Sequence, residues 1–371
     1  RVSLKTFHKS DPMSERFDAL FAGMSEEIAI KTLGTDPSEL SNPGLKYLAA
    51  TRLGACTSLD SLEQLITAAS KDSDNLYERI TRRKALDALG RRKNPLALPT
   101  LLNALSLDDE PCVVNAADAI ARIGSELDPS AQSLLLNALE GPDNQRRAVI
   151  QAFTRLRLAD RNDAIQKCQQ DDNPLVAGAA RAHAVRVSQH IDALDPLISQ
   201  LRDINPGRRR AAVIDLGDAG RMEALPALSR CPVSMPLRAK SAFQIAVRQD
   251  DGVDSAAIPW LKQLLQDDPR ALDLDNVPGT DAEPDSVRDG LQHRDEARQY
   301  AAAVALMGMA PAPQLSLIDA LQRDLGSDYG VHYLLASCTG LLGLHERSQL
   351  VREAMAETAP QYAKSRVAAA W

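Results

Sequence analysis

The sequence predicts an all-α protein, a solenoid of about nine helical repeats wound into a curved superhelix. An Ala-centred apolar segment returns at a nearly fixed spacing along the 371 residues, and strand-like alternation is essentially absent. Aromatics are only 4% of a chain whose apolar content is mostly Ala and Leu. Small side chains let helices approach closely, and a fixed period of roughly 20–50 residues marks a repeat array that grows in one direction instead of enlarging one core.

Residues 1–12 precede Met13 and read as a leader outside the fold, and residues 13–371 read as one array. Its first helices run from Tyr47–Gly54 through Arg82–Gly90, Asn115–Gly124, Arg146–Phe153, Ala179–Ala182, Arg208–Gly217 and Ala239–Phe243 to Tyr300–Gly308 and Leu334–Leu341. With Ala85, Ala117, Ala148, Ala180, Ala212 and Ala242 taken as equivalent, the steps are about 30 to 32 residues. Glycine at the end of several first helices suits a left-handed cap. Leu-rich second helices follow at Pro99–Leu105, Ala131–Leu139, Leu194–Leu201 and Ile258–Leu265, several with Pro in the first turn, where its missing N–H costs nothing. Second helices are expected to line the concave side. The step breaks once, between Ala242 and Ala302; inside that gap, residues 267–294 are rich in Asp, Pro and Gly and read as an irregular surface loop or lid.

A net charge of -7 argues against a general phosphate-backbone binder. No apolar stretch approaches the roughly 18–20 residues of a membrane span, and the first residues carry no signal-peptide core. Cys56, Cys112, Cys168, Cys231 and Cys338 lack CxxC spacing and are odd in number, which suggests neither zinc nor a disulfide framework and points to a reducing cytoplasm. His183 and His190 have no ligand partner at metal spacing. No phosphate loop, dinucleotide fingerprint, HExxH motif or nucleophile elbow is present.

Chemistry concentrates in Gly326–Tyr333, where Asp328, Tyr329, His332 and Tyr333 bring a carboxylate, an imidazole and two phenols within about two helical turns. Asp328 with His332 and Tyr329 with Tyr333 are i,i+4 pairs. The same run also reads as an Asp N-cap ahead of aromatic core residues. Arg208, Arg209 and Arg210 open a repeat helix ahead of Asp215 and can grip carboxylates, although Arg82-Arg83 and Arg146-Arg147 recur at the same repeat position, as in a structural Arg–Asp ladder. Cys231, beside Pro232, is either a reactive thiol or a semi-buried one. Trp260, Tyr47 and Tyr77 either line a flat ligand's pocket or pack in the core.

The roughly 31-residue unit, from about Tyr47 to Gly343, resembles the phycobilin lyases of the E/F clan, the PBS lyase HEAT-like repeat family. The opening Met13–Met24, the RRKALDALG run at Arg82–Gly90 and the DDEPCVVNAADAIARIG run at Asp108–Gly124 look like its phycoerythrin-directed branch, which includes phycoerythrobilin lyase-isomerases.

The resemblance implies attachment of phycoerythrobilin, an open-chain tetrapyrrole, through a thioether to a cysteine of a phycoerythrin subunit, with isomerisation to phycourobilin. The bilin is a substrate, not a cofactor, and no metal, nucleic acid or membrane is implied. That chemistry asks for a groove, cations for two propionates, a carboxylate near the pyrrole nitrogens and one proton-moving group; the nucleophile belongs to the partner. On this reading Arg208, Arg209 and Arg210 meet the propionates, Asp215 or Asp328 faces the pyrroles, Trp260 lines the bilin, and Tyr329, His332 or Tyr333 donates the proton. The other reading is a non-enzymatic HEAT-repeat scaffold that binds a protein partner on its concave face.

Overall fold

The computed structural model describes residue 21 and residues 23–160, 163–248 and 252–371. The leader at residues 1–12 and the Met13–Met24 opening, apart from Phe21, Gly23 and Met24, lie outside the described residues. The chain divides into two compact units, 1–165 and 166–371. Both are built from stacked helical pairs, so the all-α expectation holds within each.

In the first unit, helices α1 (Glu26–Gly34), α2 (Leu45–Leu53), α3 (Leu59–Ser70), α4 (Leu76–Arg92), α5 (Leu98–Ala104), α6 (Glu110–Ile123), α7 (Pro129–Asn137) and α8 (Asp143–Leu156) follow one another through short turns. Helices α2, α4, α6 and α8 pack successively on each other. Alanine makes this packing close: Ala85, Ala88, Ala116 and Ala117 are fully buried between neighbouring helices. At Gly90 the approach is closest, because a Cβ there would lie 2.7 Å from both Cα and Cβ of Ala119.

Capping follows local chemistry. The Asn75 side chain accepts from the Tyr77 and Glu78 N–H groups, and Asp109 accepts from that of Cys112, at the helix starts where backbone donors lack partners. The expected glycine cap occurs at Gly124, with φ of 71°, whereas the helix expected to end at Gly217 runs on to Ala219 and Gly220 takes the left-handed position at φ 67°. Such caps fail at Gly54 and Gly308, which stay right-handed, and at Gly90, where α4 runs on to Arg92 and Lys93 takes the left-handed position at φ 52°.

Arginine–aspartate bonds link successive repeats of this unit, one of them from the Arg82-Arg83 pair, while Arg146 holds Asp143 on its own helix. Arg83 grips Asp109 with two bonds of 3.0 and 2.9 Å. Arg122 reaches both Asp118 and Asp87, and Arg155 reaches Asp118.

A single turn, α9 (Ala164–Lys167), falls at the division. In the second unit α10 (Pro174–Arg186), α12 (Pro206–Ala219) and α14 (Met235–Ala246) are the stacked first helices, and α11 (Leu194–Ser199), α13 (Leu225–Arg230) and α15 (Ile258–Gln266) the second ones. Val213, Leu216, Leu197, Leu225, Leu228 and Leu264 fill the core between them. After α14 a minimal antiparallel ribbon pairs Val247 with Val253 and Arg248 with Gly252. Helices α16 (Pro284–Leu291), α17 (Glu296–Met307), α18 (Pro311–Leu325), α19 (Tyr329–Leu341), α20 (Ser348–Ala356) and α21 (Ala363–Ala370) complete the unit around a second core.

The irregular loop expected at 267–294 is corrected in part. It contains a 3-10 turn at Pro269–Ala271 and all of α16, whose Val287 and Leu291 are fully buried. Leu272 and Leu274 also pack against the core. Two apolar anchors one turn apart make too short a period to be recognised, although they suffice to dock a helix.

Candidate functional site

The Arg208–Arg210 run opens α12 beneath an Asn205 cap that accepts from the Gly207 and Arg208 N–H groups. Successive residues on a helix point about 100° apart, so the three guanidiniums diverge. Arg209 is buried, donates to the Asp203 and Ile204 carbonyls at 2.8 and 3.1 Å, and pairs with Asp295. Arg210 holds Glu296 with two bonds of 3.0 and 2.6 Å. Arg208 is the exposed member, 3.5 Å from Asp203. The expectation of three propionate cations is thereby narrowed: all three guanidiniums meet protein carboxylates, and Arg208 holds its partner at the longest distance. Asp215 is buried on the same helix, its Oδ2 so near Gly178 that a Cβ there would meet it at 2.7 Å. Trp260 is half-buried against the core of this unit.

The Asp328–Tyr333 run does not assemble as one proton-trading cluster. Asp328 caps α19, accepting from the Gly330 and Val331 N–H groups at 2.8 and 2.9 Å. Tyr329 is 57% exposed and meets the edge of the Tyr362 ring. His332 turns inward, with Nδ1 3.0 Å from the Ser365 hydroxyl and its ring edge-on to Tyr362. Burial holds its imidazole below the usual histidine range, against the opposing pull of Glu357 and Glu353. Tyr333 turns inward elsewhere, donating to Asp267. The i,i+4 pairings are therefore corrected: the cap ties Asp328 to backbone, and Tyr329 and Tyr333 face solvent and core respectively.

Tyr333 belongs to a buried polar knot that sequence reasoning missed. Asp267, in the left-handed conformation at the end of α15, accepts from Arg238, from Tyr333 and, at 2.7 Å, from Tyr300. Arg238 also donates to the Val233 and Ser229 carbonyls at 2.7 and 2.9 Å, which satisfies a fully buried guanidinium. Burial, and then the Asp267 carboxylate, push both phenols well above the ordinary tyrosine range. Lys364 lies 4.6 Å above the Tyr333 ring, and burial lowers its ammonium against the pull of Asp267, Glu296 and Asp328. Tyr300 and Tyr333 are 3% and 2% exposed, so the knot is closed to a ligand and serves to join α14, α15, α17 and α19.

Open space lies elsewhere in the same unit. A cavity of about 320 Å³ runs along α11, α13 and the start of the 272–277 segment. Ile198, Leu201 and Ala227 supply its apolar lining, and Asp195, Arg202, Arg230 and Asp273 its charge. Arg202 pairs with Asp273 at 2.6 Å, and the Asp273 N–H donates to the Arg230 carbonyl at 2.8 Å. Of the residues singled out from the sequence, Cys231 alone lines this cavity. Arg209 comes next, in a small neighbouring recess that shares Arg202 and Asp273. One signal was available: successive second helices end in an arginine close behind a buried leucine, Arg202 one residue after Leu201 and Arg230 two residues after Leu228.

Cys231 also lines the cavity, but its thiol donates to the Leu201 carbonyl at 3.7 Å and burial pushes it up to about 12. Cys338, buried in α19, is likewise raised to about 12. Neither is an activated nucleophile. Among the described residues no three His, Cys, Asp or Glu side chains converge as a metal set, and no helix is long and apolar enough to cross a membrane.

Residues 77–154 match the HEAT repeats family. Over 367 residues the chain is 29% identical to phycocyanin operon protein Y of Pseudanabaena tenuis, spanning 96% of this chain and 86% of that one. It is 31% identical to the bilin biosynthesis protein PecE of a Nostoc strain over 159 residues, 42% of this chain and 62% of the relative. Among solved structures, a chain of the CpcE–CpcF complex of phycocyanin lyase from Nostoc superposes with a TM-score of 0.57 at 22% identity, covering 71% of this chain and 98% of that one. That last likeness is one of fold.

Proposed function

We propose that this chain is a HEAT-repeat phycobilin lyase of E/F type and that it attaches an open-chain tetrapyrrole to a cysteine of a phycobiliprotein subunit. The observation that carries the reading is the likeness to a phycocyanin operon protein along 96% of the chain, joined by likeness to bilin biosynthesis proteins. In the finer form of the proposal the bilin is phycoerythrobilin, the acceptor a phycoerythrin subunit and the bound product phycourobilin.

Atoms balance without a redox partner. The acceptor's S–H adds across the exocyclic double bond of ring A, forming the C–S bond at the ethylidene carbon and delivering one hydrogen to the neighbouring ring carbon. Isomerisation removes one proton and returns one elsewhere as a double bond shifts. The enzyme's share is to bind, orient and move a proton, which requires no thiolate of its own and accords with the raised thiols of Cys231 and Cys338. Of the groups the family resemblance nominates, Arg208, Asp328 and Tyr329 are exposed, Arg208 beside Asp203, Asp328 engaged as a helix cap and Tyr329 with its phenol available as a proton donor.

The test is co-expression with phycoerythrobilin and each phycoerythrin or phycocyanin subunit, followed by absorbance of the purified, denatured subunit. A covalent band of phycourobilin colour is the expected result. A covalent phycoerythrobilin band reduces the activity to ligation alone. Absence of covalent pigment on every subunit overturns the reading in favour of a binding scaffold.

A further inference from the structure

We infer that the cavity along α11 and α13 seats the central rings of the bilin, with Arg230 and Arg202 gripping its propionate carboxylates and Asp273 accepting from its pyrrole N–H groups. This assignment rests on the bilin-attachment reading and names the site that would serve it.

The charge pattern carries the inference. Arg209, Arg210 and Arg238 each hold a protein carboxylate, and Arg202 holds Asp273. Arg230 differs: it is exposed at the cavity, and its guanidinium meets no carboxylate among the described residues. An unpaired guanidinium beside an apolar lining selects a ligand with a carboxylate borne by a flat apolar body, since its planar fork accepts a carboxylate with two parallel bonds. A volume of about 320 Å³ lies within the range of small-molecule sites and takes part of a tetrapyrrole, leaving the reactive end outside for the acceptor thiol.

Asp273 supplies the second half of the argument. Its N–H is tied to the Arg230 carbonyl, it lines the same cavity as Arg230, and its partner Arg202 is exposed. A propionate reaching Arg202 exchanges one carboxylate for another on that guanidinium. Asp273 is then released, still inside the cavity, to accept N–H donors from the pyrrole rings. Cys231 lines the same wall without being reactive, because burial keeps its thiol protonated; the site holds an electrophilic bilin without capturing it.

The test titrates the full chain with phycoerythrobilin, and separately with its dimethyl ester, following visible absorbance and induced circular dichroism, alongside transfer to the acceptor subunit. Arg230→Gln alters an exposed side chain and should leave the fold intact. It is expected to weaken binding of the free acid roughly tenfold and to leave binding of the ester unchanged. Ala227→Trp, which fills the cavity, should abolish binding of both while far-ultraviolet circular dichroism stays native. Wild-type binding and transfer in both variants would place the bilin elsewhere and overturn this assignment, with the lyase reading still standing. A wild-type chain that neither binds bilin nor pigments any subunit would remove the lyase reading itself, and this site with it.

Discussion

Asp267 answers three donors at once from a left-handed backbone, with φ at 48°. Its partner Arg238 has no exposed surface, so removing the carboxylate strands a buried cation. Asp267→Asn is expected to destabilise the protein by about 3–5 kcal/mol, read from urea denaturation. Tyr333→Phe deletes one donor and leaves the ion pair, for a cost of about 1–2 kcal/mol. Since Tyr333 is buried, its loss should leave the rate of bilin transfer unchanged at temperatures where the variant is folded; a lost transfer step would return that phenol to the chemistry. This knot was not legible in the sequence. Arg238 and Asp267 are 29 residues apart and Asp267 and Tyr333 are 66 apart, and no local pattern marks residues that meet only through folding.

At the scale of helices, the spacing of Ala85, Ala117, Ala148, Ala180 and Ala212 announced the stacking, because a period sampled many times outweighs any single misread residue. Glycine was less legible. The missing Cβ permits either a left-handed cap or a close approach, and sequence does not say which is used. At Gly90 it is close approach, within right-handed helix, so Gly90→Ala should destabilise by about 1–2 kcal/mol in thermal denaturation although alanine is the better helix former. The link from α4 to α6 gives a pH signature. Burial alone would raise the Asp109 carboxyl, but hydrogen bonds from Arg83 and the Cys112 N–H outweigh it and bring it to about 2. A carboxyl lower in the folded than in the unfolded chain stabilises above about pH 4, and that contribution is lost as pH falls through about 2. Asp109→Asn should cost about 2 kcal/mol at pH 7 and flatten this acid limb of a stability–pH curve.

For the molecule as a whole, the five cysteines report on where reactivity resides. Cys56, Cys112, Cys231 and Cys338 are buried and Cys168 is half-buried, so iodoacetamide at pH 8 should alkylate Cys168 first and spare Cys231 and Cys338, as read by peptide mass spectrometry. Prompt alkylation of Cys231 would reopen its candidacy as a covalent nucleophile. The bonds that join distant residues also fix an order of assembly. In the N-terminal unit Arg83 reaches Asp109, Asn115 reaches Arg83 and Arg155 reaches Asp118 across 26, 32 and 37 residues, so each repeat has its partners as soon as the next one leaves the ribosome. Arg202 and Arg209 wait 71 and 86 residues for Asp273 and Asp295. A nascent chain therefore carries a folded N-terminal unit while the α11–α13 cavity still lacks one wall, and competence to receive a ligand there arises only late in synthesis.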